Sequence, residues 1–405
     1  MGARILVVGA GVAGLALARA LRHRGIGPDL VERSSDWPVG GAGIYIPGNG
    51  LRAVRELGLA EEVEATAAVV ARRRLLDDTG RLLIDFDEAG LWRDIAPPVA
   101  LHRRELHDIL LQGAAGTPIR LGTTVTSTVD DGTEVQVSFS DGSTAMYDLV
   151  VGADGIHSGI RAMVFGGPTA RLVGQAGWRF VIDGHPEIAG WNAWLGPDRG
   201  FLVLAIGRDR VYGYVDIRSS VADDPTGGDP TKLTPLFKGF TEPVPTLLGE
   251  AIRTAELWFA PVEEVAPLTW SKGRVVLIGD ASHASSPNMA EGGSMALEDA
   301  LVLADLVVTM PDVPQALEAY RSRRFERVEH VQATTHRRDR LRYLHPFVRR
   351  AVMGAAGHRV FRAHYRPLLA PPWCDRVARV LRGCNARAPR RRSIGFDDAT
   401  SRSVP

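Results

Sequence analysis

Three short motifs, rich in glycine and acidic residues, each follow a predicted strand. The first, Gly9-Ala10-Gly11-Val12-Ala13-Gly14, lies between the apolar run Ile5–Val8 and a helical pattern. In such a loop the first glycine permits a tight turn, the second lets the backbone approach a diphosphate, and the third lets the helix pack on the strand. Glu32 ends the next predicted strand, where its carboxylate can accept hydrogen bonds from ribose and would repel a 2′-phosphate. The first motif therefore predicts a site for FAD or NAD rather than NADP.

The second and third motifs also begin directly after apolar strands. Gly152-Ala153-Asp154-Gly155-Ile156-His157-Ser158 follows Leu149–Val151, and Gly279-Asp280-Ala281-Ser282-His283 follows Arg274–Ile278. An acid at the carboxyl end of a strand can bind sugar or ribityl hydroxyls. Glycines that open the next helix can bring backbone amides to a phosphate or a flavin edge. Each motif alone is modest evidence, and their order along the chain makes them specific.

A predicted βαβ unit positions the first motif. Apolar residues recur at helical spacing after Gly14, and a second strand begins at Asp29. Further helices are predicted at 50–59 and 104–112. The stretch 123–151 is strand-like, with Asp-Gly pairs that indicate hairpin turns.

The middle of the chain has a different pattern of predicted secondary structure. From about Gly174 to Trp270, short strands alternate with Pro, Gly and Asp clusters, and five of the eight tryptophans lie in this region. A sheet that concentrates aromatic residues can form a hydrophobic core or the wall of an apolar ligand pocket. A buried strand at 274–278 and a long helix from about Ser294 to Val308 follow.

Composition excludes several classes of protein. The chain has 405 residues, of which 45% are hydrophobic and 23% charged, with 48 basic against 47 acidic residues. These values exclude a disordered, collagen-like or nucleic-acid-coating protein. Two cysteines, Cys374 and Cys384, provide neither a disulfide framework nor a cysteine-rich zinc site. No apolar run reaches the roughly 20 residues that cross a bilayer, and glycines interrupt Ile5–Ala18, so we expect a cytoplasmic protein without a signal peptide.

Arginines are concentrated between Arg321 and Arg366, a stretch that contains 13 arginines and only three acidic residues. This excess can act as an electrostatic funnel for an anionic cofactor or substrate. Alternatively, it can be the solvated face of helices that carry intrahelical ion pairs, and this second interpretation is favoured. The segment after Ala386 lacks apolar periodicity, and we expect it to be a mobile tail.

The three motifs, in this order and spacing, resemble the class A flavoprotein aromatic hydroxylases, the family of para-hydroxybenzoate hydroxylase, salicylate hydroxylase and the tetracycline-inactivating monooxygenases. The resemblance spans most of the chain. Beyond the motifs it includes Gly41-Ala42-Gly43-Ile44, Leu57-Gly58-Leu59, His102-Arg103 with Leu106, Arg161, and Trp270 with Gly273-Arg274-Val275. It implies an α/β fold in which a Rossmann-like FAD-binding domain carries an inserted mixed β-sheet substrate domain and a C-terminal helix.

The expected domain boundaries lie where the pattern of predicted strands and helices changes along the chain. In order, the segments are FAD-binding 1–70, substrate domain 71–100, FAD-binding 101–173, substrate domain 174–269, FAD-binding 270–345, a C-terminal helical region 346–385 and a tail 386–405. The substrate domain is thus expected to be inserted twice into the FAD-binding domain.

The resemblance also implies roles for individual residues. Within it, Glu32 would hold the adenosine ribose, Arg33 would lie beside the adenine, and Asp280 would contact the ribityl chain. Asp154 and Gly155 would serve both FAD and the transiently bound nicotinamide. The residues expected around FAD are Gly9, Gly11, Val12, Ala13, Gly14, Glu32, Arg33, Gly43, Arg103, Asp154, Gly155, Gly279, Asp280, Pro287, Gly292 and Gly293.

One segment departs from the family pattern. Where many relatives have Gly-Gln-Gly-Ala-Asn before the last helix, this chain has Ala290-Glu291-Gly292-Gly293-Ser294. The amides of this helix can still face the flavin, beside Pro287. The missing asparagine and the acidic Glu291 leave open how the isoalloxazine ring is held.

The resemblance implies a single-component FAD-dependent monooxygenase. FAD would be bound, NADPH or NADH would be a transient co-substrate, and O2 would give a flavin C4a-hydroperoxide that transfers one oxygen atom to a hydrophobic, aromatic or polyketide-like molecule. Hydroxylation is the expected reaction. Epoxidation, Baeyer–Villiger insertion and decarboxylative oxidation stay open, as do a flavin oxidase and an NAD-dependent dehydrogenase. We expect no metal, no nucleic acid partner, and either a monomer or a homodimer.

Tyr212 and Tyr214 are the leading candidates for substrate contact. Side chains two residues apart on a strand share a face, and a phenol can orient a ligand or relay a proton. His283 is a candidate base, and Trp178 and Trp194 are candidate walls of an apolar pocket. For all five residues, packing or another structural role is the competing interpretation.

Overall fold

The computed structural model describes residues 3–37, 42–166, 170–266 and 269–373. Its strands are β1 (Ile5–Val8), β2 (Asp29–Val31), β3 (Gly43–Ile46), β4 (Ala68–Val69), β5 (Arg72–Asp77), β6 (Leu82–Asp87), β7 (Val99–His102), β8 (Ile119–Arg120), β9 (Val125–Asp130), β10 (Val135–Phe139), β11 (Thr144–Tyr147), β12 (Leu149–Gly152), β13 (Arg171–Asp183), β14 (Trp191–Leu195), β15 (Arg199–Ala205), β16 (Arg210–Arg218), β17 (Trp258–Glu264), β18 (Ser271–Lys272) and β19 (Val275–Leu277).

The helices alternate with these strands in the first third of the chain and dominate its end. They are α1 (Val12–Arg22), α2 (Gly48–Glu56), α3 (Ala60–Thr66), α4 (Glu88–Trp92), α5 (Arg103–Gly113), α6 (Thr234–Phe237), α7 (Val244–Thr254), α8 (Asp280–His283), α9 (Gly292–Thr309), α10 (Val313–Arg342) and α11 (Pro346–Tyr365). Cys374, Cys384 and the tail expected at 386–405 lie outside the described residues.

A six-stranded sheet with the order β18-β19-β12-β1-β2-β8 forms the first layer system, and all its pairings are parallel except β18 with β19. The predicted βαβ unit is confirmed as β1-α1-β2. Side chains on alternate sides of each strand bury two different surfaces. Ile5 and Val7 face α1 and α9, whereas Leu6 and Val8 pack against the three-stranded antiparallel sheet β9–β11.

A seven-stranded mixed sheet with the order β17-β13-β16-β15-β14-β5-β6 forms the second layer system. Its strands come from residues 72–87 and 171–264, and only the pairing of β14 with β5 is parallel. One face carries Trp178, Phe180 and Val215, which pack with α6 and α7 in a separate apolar core. Strand β6 packs against α11, and β15 and β16 contact β7 and β3 of the three-stranded sheet β3-β7-β4.

The long helices α10 and α11 join the two sheets, and three of their arginines, Arg324, Arg342 and Arg349, are buried. Arg324 is fully buried between Glu298 and Asp299, with nitrogen–oxygen distances of 2.6 and 2.7 Å. Arg342 forms a buried ion pair with Asp216 of β16. The favoured interpretation of a solvated arginine face is therefore wrong for Arg324 and Arg342, because the carboxylates that neutralise them lie on other elements, remote in sequence.

No helix in the described parts of the chain is both long enough and apolar enough to cross a membrane.

Candidate active site

The loop 9–14 presents its backbone to a large cavity. Gly9 has φ +106°, and a β carbon there would stand 2.5 Å from the Ala153 carbonyl oxygen. A β carbon at Gly14 would collide with the Gly9 carbonyl oxygen, whereas Gly11 faces open space. No side chain caps the first amides of α1, and no acidic residue lies in its first turn. These amides are therefore left as donors for an anionic group in the cavity.

Glu32 lies beside this loop at the end of β2. Its Oε2 accepts the Ala10 N–H at 2.8 Å, and its Oε1 accepts the Ser34 N–H at 2.9 Å. Each carboxylate oxygen keeps a further lone pair that can accept a ribose hydroxyl. Arg33 is exposed, and the adenosine contacts of both residues stay predictions.

A hydrogen bond within the second motif, from Ser158 to Asp154, stabilises its loop. Asp154 accepts a hydrogen bond of 2.5 Å from the Ser158 hydroxyl, while Gly155, at φ +80°, faces the cavity. The buried Arg161 donates to the Ala281 carbonyl oxygen at 2.8 Å. Arg161 thereby joins the second motif to the third, which explains why an arginine accompanies the second motif.

The third motif combines an exposed acid with a buried network. Asp280 opens α8 and lines the cavity, whereas His283 Nε2 lies 2.7 Å from Asp299 Oδ2 in the interior. Asp299 also accepts the Gly279 N–H at 2.9 Å and Arg324 Nε–H at 2.7 Å. Burial alone would raise the pKa of Asp299, but His283 and Arg324 together lower it to about 2. The Asp299 carboxylate therefore fixes the backbone that presents Asp280.

Glu291 points away from the cavity. It is buried at the start of α9, where its Oε2 accepts Asn49 Nδ2–H at 3.0 Å and its Oε1 has no hydrogen-bond partner. Burial is the main cause that raises the pKa of Glu291 to about 8, and nearby Glu298 raises it further. Gly292 and Gly293 therefore present their backbone to the cavity without the Glu291 carboxylate beside it, and the first turn of α9 carries no acidic residue.

One continuous cavity of about 580 Å³ connects these motifs with the seven-stranded sheet. Most predicted site residues lie on its wall, namely Gly11, Val12, Ala13, Gly43, Arg103, Gly155, Tyr212, Tyr214, Asp280, Pro287, Gly292 and Gly293. The others lie behind the wall or outside it, namely Gly9, Gly14, Glu32, Arg33, Asp154, Gly279 and His283. A small ligand in this cavity would contact both the motifs and the sheet.

Tyr212 and Tyr214 project from β16 into the cavity on the same side of the sheet. Burial raises the pKa of Tyr212 above its ordinary value, although Arg179 opposes the rise. The Tyr214 hydroxyl is buried without a hydrogen-bond partner. Gly43 brings β3 against this strand, because a β carbon at Gly43 would stand 2.5 Å from Tyr212 Cβ. The neutral phenols are thus placed next to the motif side of the cavity.

Three of the other candidates are buried in the protein interior and do not line the cavity. Trp178 and Trp194 lie on the opposite face of the sheet, in the core under α6 and α7, so the pocket-wall interpretation is wrong for both. Strand parity is the reason, since these residues alternate with the cavity-facing Arg179 and Trp191. His283 is buried on Asp299 and does not line the cavity.

Sequence reasoning missed a second set of cavity residues on distant elements. They are Tyr45, Arg73, Arg179, Trp191, Arg338, Arg342, Phe361 and His364. Arg73 is buried in β5, 2.6 Å from Glu88, and its guanidinium lies 4.2 Å from the Trp191 ring centroid. No local pattern marks Arg73, which stands between two other arginines in β5, or Phe361 and His364 of α11. Arg338 and Arg342 belong to the arginine concentration between Arg321 and Arg366, for which an electrostatic funnel was the alternative interpretation.

Comparison with known proteins identifies the family. A family model described as FAD binding domain matches residues 3–335. The aurachin C monooxygenase/isomerase of Stigmatella aurantiaca is 32% identical over 345 residues, covering 83% of this chain and 88% of that protein. The chain belongs to the class A flavoprotein monooxygenases. The 3-amino-4-hydroxybenzoate 2-monooxygenase of Streptomyces cremeus is also 32% identical, covering 83% of this chain and 86% of that protein.

A solved structure of Klebsiella pneumoniae HpxO complexed with FAD and uric acid superposes on this monooxygenase with a TM-score of 0.77 and 26% identity, covering 94% of this chain and 95% of that one. The predicted fold class is confirmed, and the protein is an FAD-dependent monooxygenase that uses NAD(P)H and O2. The residues of the cavity fit FAD, because two uncapped helix starts, those of α1 and α9, open onto one cavity long enough to reach the substrate sheet.

Metal-ligating side chains do not form a cluster in the part of the chain that the structure describes. No group of three or more His, Cys, Asp and Glu side chains there lies close enough together to hold a metal ion.

Proposed function

We propose that this monooxygenase hydroxylates a small aromatic molecule bound between the flavin and the cavity face of the seven-stranded sheet. The single observation that carries the proposal is the continuous cavity that joins the three motifs to Tyr212 and Tyr214. A hydrophobic, planar molecule fits the lining on the sheet side, where Trp191, Leu202 and Phe361 supply apolar surface.

FAD, when bound, supplies the oxygen-transfer chemistry. We propose that the amides of α1 hold its diphosphate, Glu32 its ribose, Asp280 its ribityl chain and the amides of α9 its ring. Arg103 opens α5 on the cavity wall, where its side chain can reach the diphosphate. The expected domain boundaries are proposed on the same basis, since the three FAD segments each contribute one motif.

The protein must also orient the substrate and exclude water. Tyr212 is partly buried and its raised pKa keeps the hydroxyl neutral, so it can donate a hydrogen bond to a substrate oxygen. We assign His283 a positioning role through Asp299 rather than the role of a base, because its ring does not reach the cavity.

Cellular setting and assembly are part of the proposal. A cytoplasmic enzyme has a constant supply of NAD(P)H, and the chain has only two cysteines. We propose that it works there as a monomer or homodimer, with a small molecule as its only partner.

Isotope incorporation tests the proposed reaction. The FAD-loaded protein would be incubated with NADPH or NADH, a panel of phenols, hydroxyquinolines and polycyclic quinones, and 18O2. We expect one panel compound to gain a single 18O atom, detected by mass spectrometry. Consumption of NAD(P)H with hydrogen peroxide as the only oxygen product, for every compound in a panel that spans these ring systems, would instead support a flavin oxidase.

A further inference from the structure

Five arginines line the cavity. Arg103 is the one that we propose reaches the FAD diphosphate, and the other four differ in how their charges are compensated. Arg73 lies 2.6 Å from Glu88, and Arg342 forms an ion pair with Asp216. These two guanidinium groups are neutralised within the protein. Arg179 and Arg338 have no carboxylate oxygen within 4.0 Å among the described residues.

Arg338 uses its donors to hold the protein together. Its Nη1 donates to the Asn288 carbonyl oxygen at 3.0 Å and to the Tyr365 hydroxyl at 3.2 Å, and its Nε donates to His364 Nδ1 at 3.2 Å. Its guanidinium also lies 4.4 Å from the Phe361 ring centroid. Arg338 is therefore tied to the loop beside α9 and to α11.

Arg179 is different, because most of the five N–H donors of its guanidinium remain available. It projects from β13 beside Tyr214, its register partner on β16, and its guanidinium lies 5.2 Å from the Tyr214 ring centroid. Its polar neighbour is the Tyr212 hydroxyl. Within the described residues, no backbone oxygen or carboxylate accepts a hydrogen bond from it. Arg179 lies on the cavity wall.

A partly buried cation without a counterion is costly unless a ligand compensates it. The nearest acid in the sheet, Asp216, is already held by Arg342. The guanidinium fork matches the geometry of a carboxylate or another anionic oxygen group. The two phenols beside it, on Tyr212 and Tyr214, can add neutral donors to the same group.

We propose that Arg179 binds an anionic oxygen of the substrate, so that the substrate is an aromatic acid or an ionised aromatic enol rather than a neutral aromatic molecule. This inference rests on the proposed function and narrows its substrate class. Arg179 would hold the anionic end of the ring system at the sheet and leave the rest of the ring to face the motif side of the cavity.

Matched pairs of probes test the charge preference in the FAD-loaded protein. The pairs are 1-hydroxy-2-naphthoate with 1-hydroxy-2-naphthamide, 3-hydroxybenzoate with 3-hydroxybenzamide, and 2-hydroxy-1,4-naphthoquinone with its methyl ether. Binding would be followed by the change in flavin absorbance. We expect at least one anionic probe to bind about 10-fold or more tightly than its neutral partner. The first two pairs report a carboxylate, and the third reports an ionised enol.

Variants then assign the preference to Arg179. Arg179→Met should weaken binding of the preferred anionic probe by roughly 10- to 100-fold and change that of its neutral partner by less than about 3-fold. Arg179→Lys should give an intermediate loss. Arg253→Met removes the same charge from an exposed position on α7, outside the cavity, and should leave both dissociation constants unchanged.

The outcomes separate this inference from the function on which it rests. If the protein does not retain FAD or is not reduced by NAD(P)H, the proposed function itself fails. If FAD is retained and reduced but no anionic probe binds more tightly than its neutral partner, only the inference about Arg179 is overturned. Equal losses in Arg179→Met and Arg253→Met would also overturn it, because a general field effect would then explain the preference.

Discussion

Replacing Glu291 by glutamine should stabilise the protein above neutral pH. Glu291 is buried at the start of α9, its Oε1 lacks a hydrogen-bond partner, and burial raises its pKa from an ordinary 4.5 to about 8. Between these two values the folded protein keeps the proton and the unfolded chain loses it. The free energy of unfolding should therefore fall as the pH rises through this window.

The size of the effect follows from the pKa difference. One pH unit corresponds to about 1.4 kcal/mol, so the raised pKa of Glu291 costs on the order of 4 to 5 kcal/mol by pH 8. A glutamine side chain does not titrate, and its amide adds a donor near Asn49 Oδ1, a buried acceptor without a partner. For a chain of this length the gain corresponds to a melting temperature higher by about 5 to 6 °C at pH 8.

Melting curves of wild type, Glu291→Gln and Glu62→Gln at half-unit steps from pH 4.5 to 9 would measure this. Glu62 is exposed on α3 and serves as a control for loss of one carboxylate. The advantage of Glu291→Gln should be absent near pH 4.5, grow up to pH 8 and then level off. An advantage that does not change with pH, or a variant less stable than wild type at pH 8, would show that the folded protein carries an ionised Glu291.

Four further variants test the cavity wall and the loop behind it. Asp280→Ala should raise the dissociation constant of FAD by about 10-fold, measured by flavin fluorescence, because the lost carboxylate would accept ribityl hydroxyls; full retention and unchanged turnover would remove Asp280 from the FAD site. Tyr212→Phe should lower turnover by up to about 10-fold with flavin content unchanged. Tyr214→Phe should leave the melting temperature equal or slightly higher, since the Tyr214 hydroxyl lacks a partner. A marked loss of stability in Tyr214→Phe would reveal a partner for that hydroxyl. Gly14→Ala should lose FAD and lower stability by about 1 to 3 kcal/mol, because the added methyl meets the Gly9 carbonyl oxygen; an FAD content equal to wild type would contradict the close approach of α1 to that loop.

The motif side of the site could be predicted from the sequence because its information is local. Each motif contains its own strand end, turn glycine and acid, and parallel strands bring their carboxyl ends to one edge of a sheet. The strand β1, the loop after it and Glu32 therefore lie where the spacing predicts. The depth of Glu291 could not be predicted, since it depends on Asn49 of α2, which no local pattern pairs with it.

The substrate side depends on contacts that are distant along the chain. Arg342 meets Asp216 across 126 positions, and Arg338 meets Asn288 across 50. Strand parity correctly placed Tyr212 and Tyr214 on one face, but parity alone does not tell which face borders the cavity. For Trp178 and Trp194 a pocket wall and core packing were therefore both open, and the structure places them in the core, whereas Arg179 lies on the cavity face.

The most direct test of the monooxygenase assignment is the absorption spectrum of the FAD-loaded protein during anaerobic addition of NADPH or NADH, with and without an aromatic ligand. We expect the flavin band to bleach, and a ligand that fits the cavity to accelerate the bleaching. A flavin that neither nucleotide reduces, in the presence of any ligand shown to perturb its spectrum, would contradict the assignment.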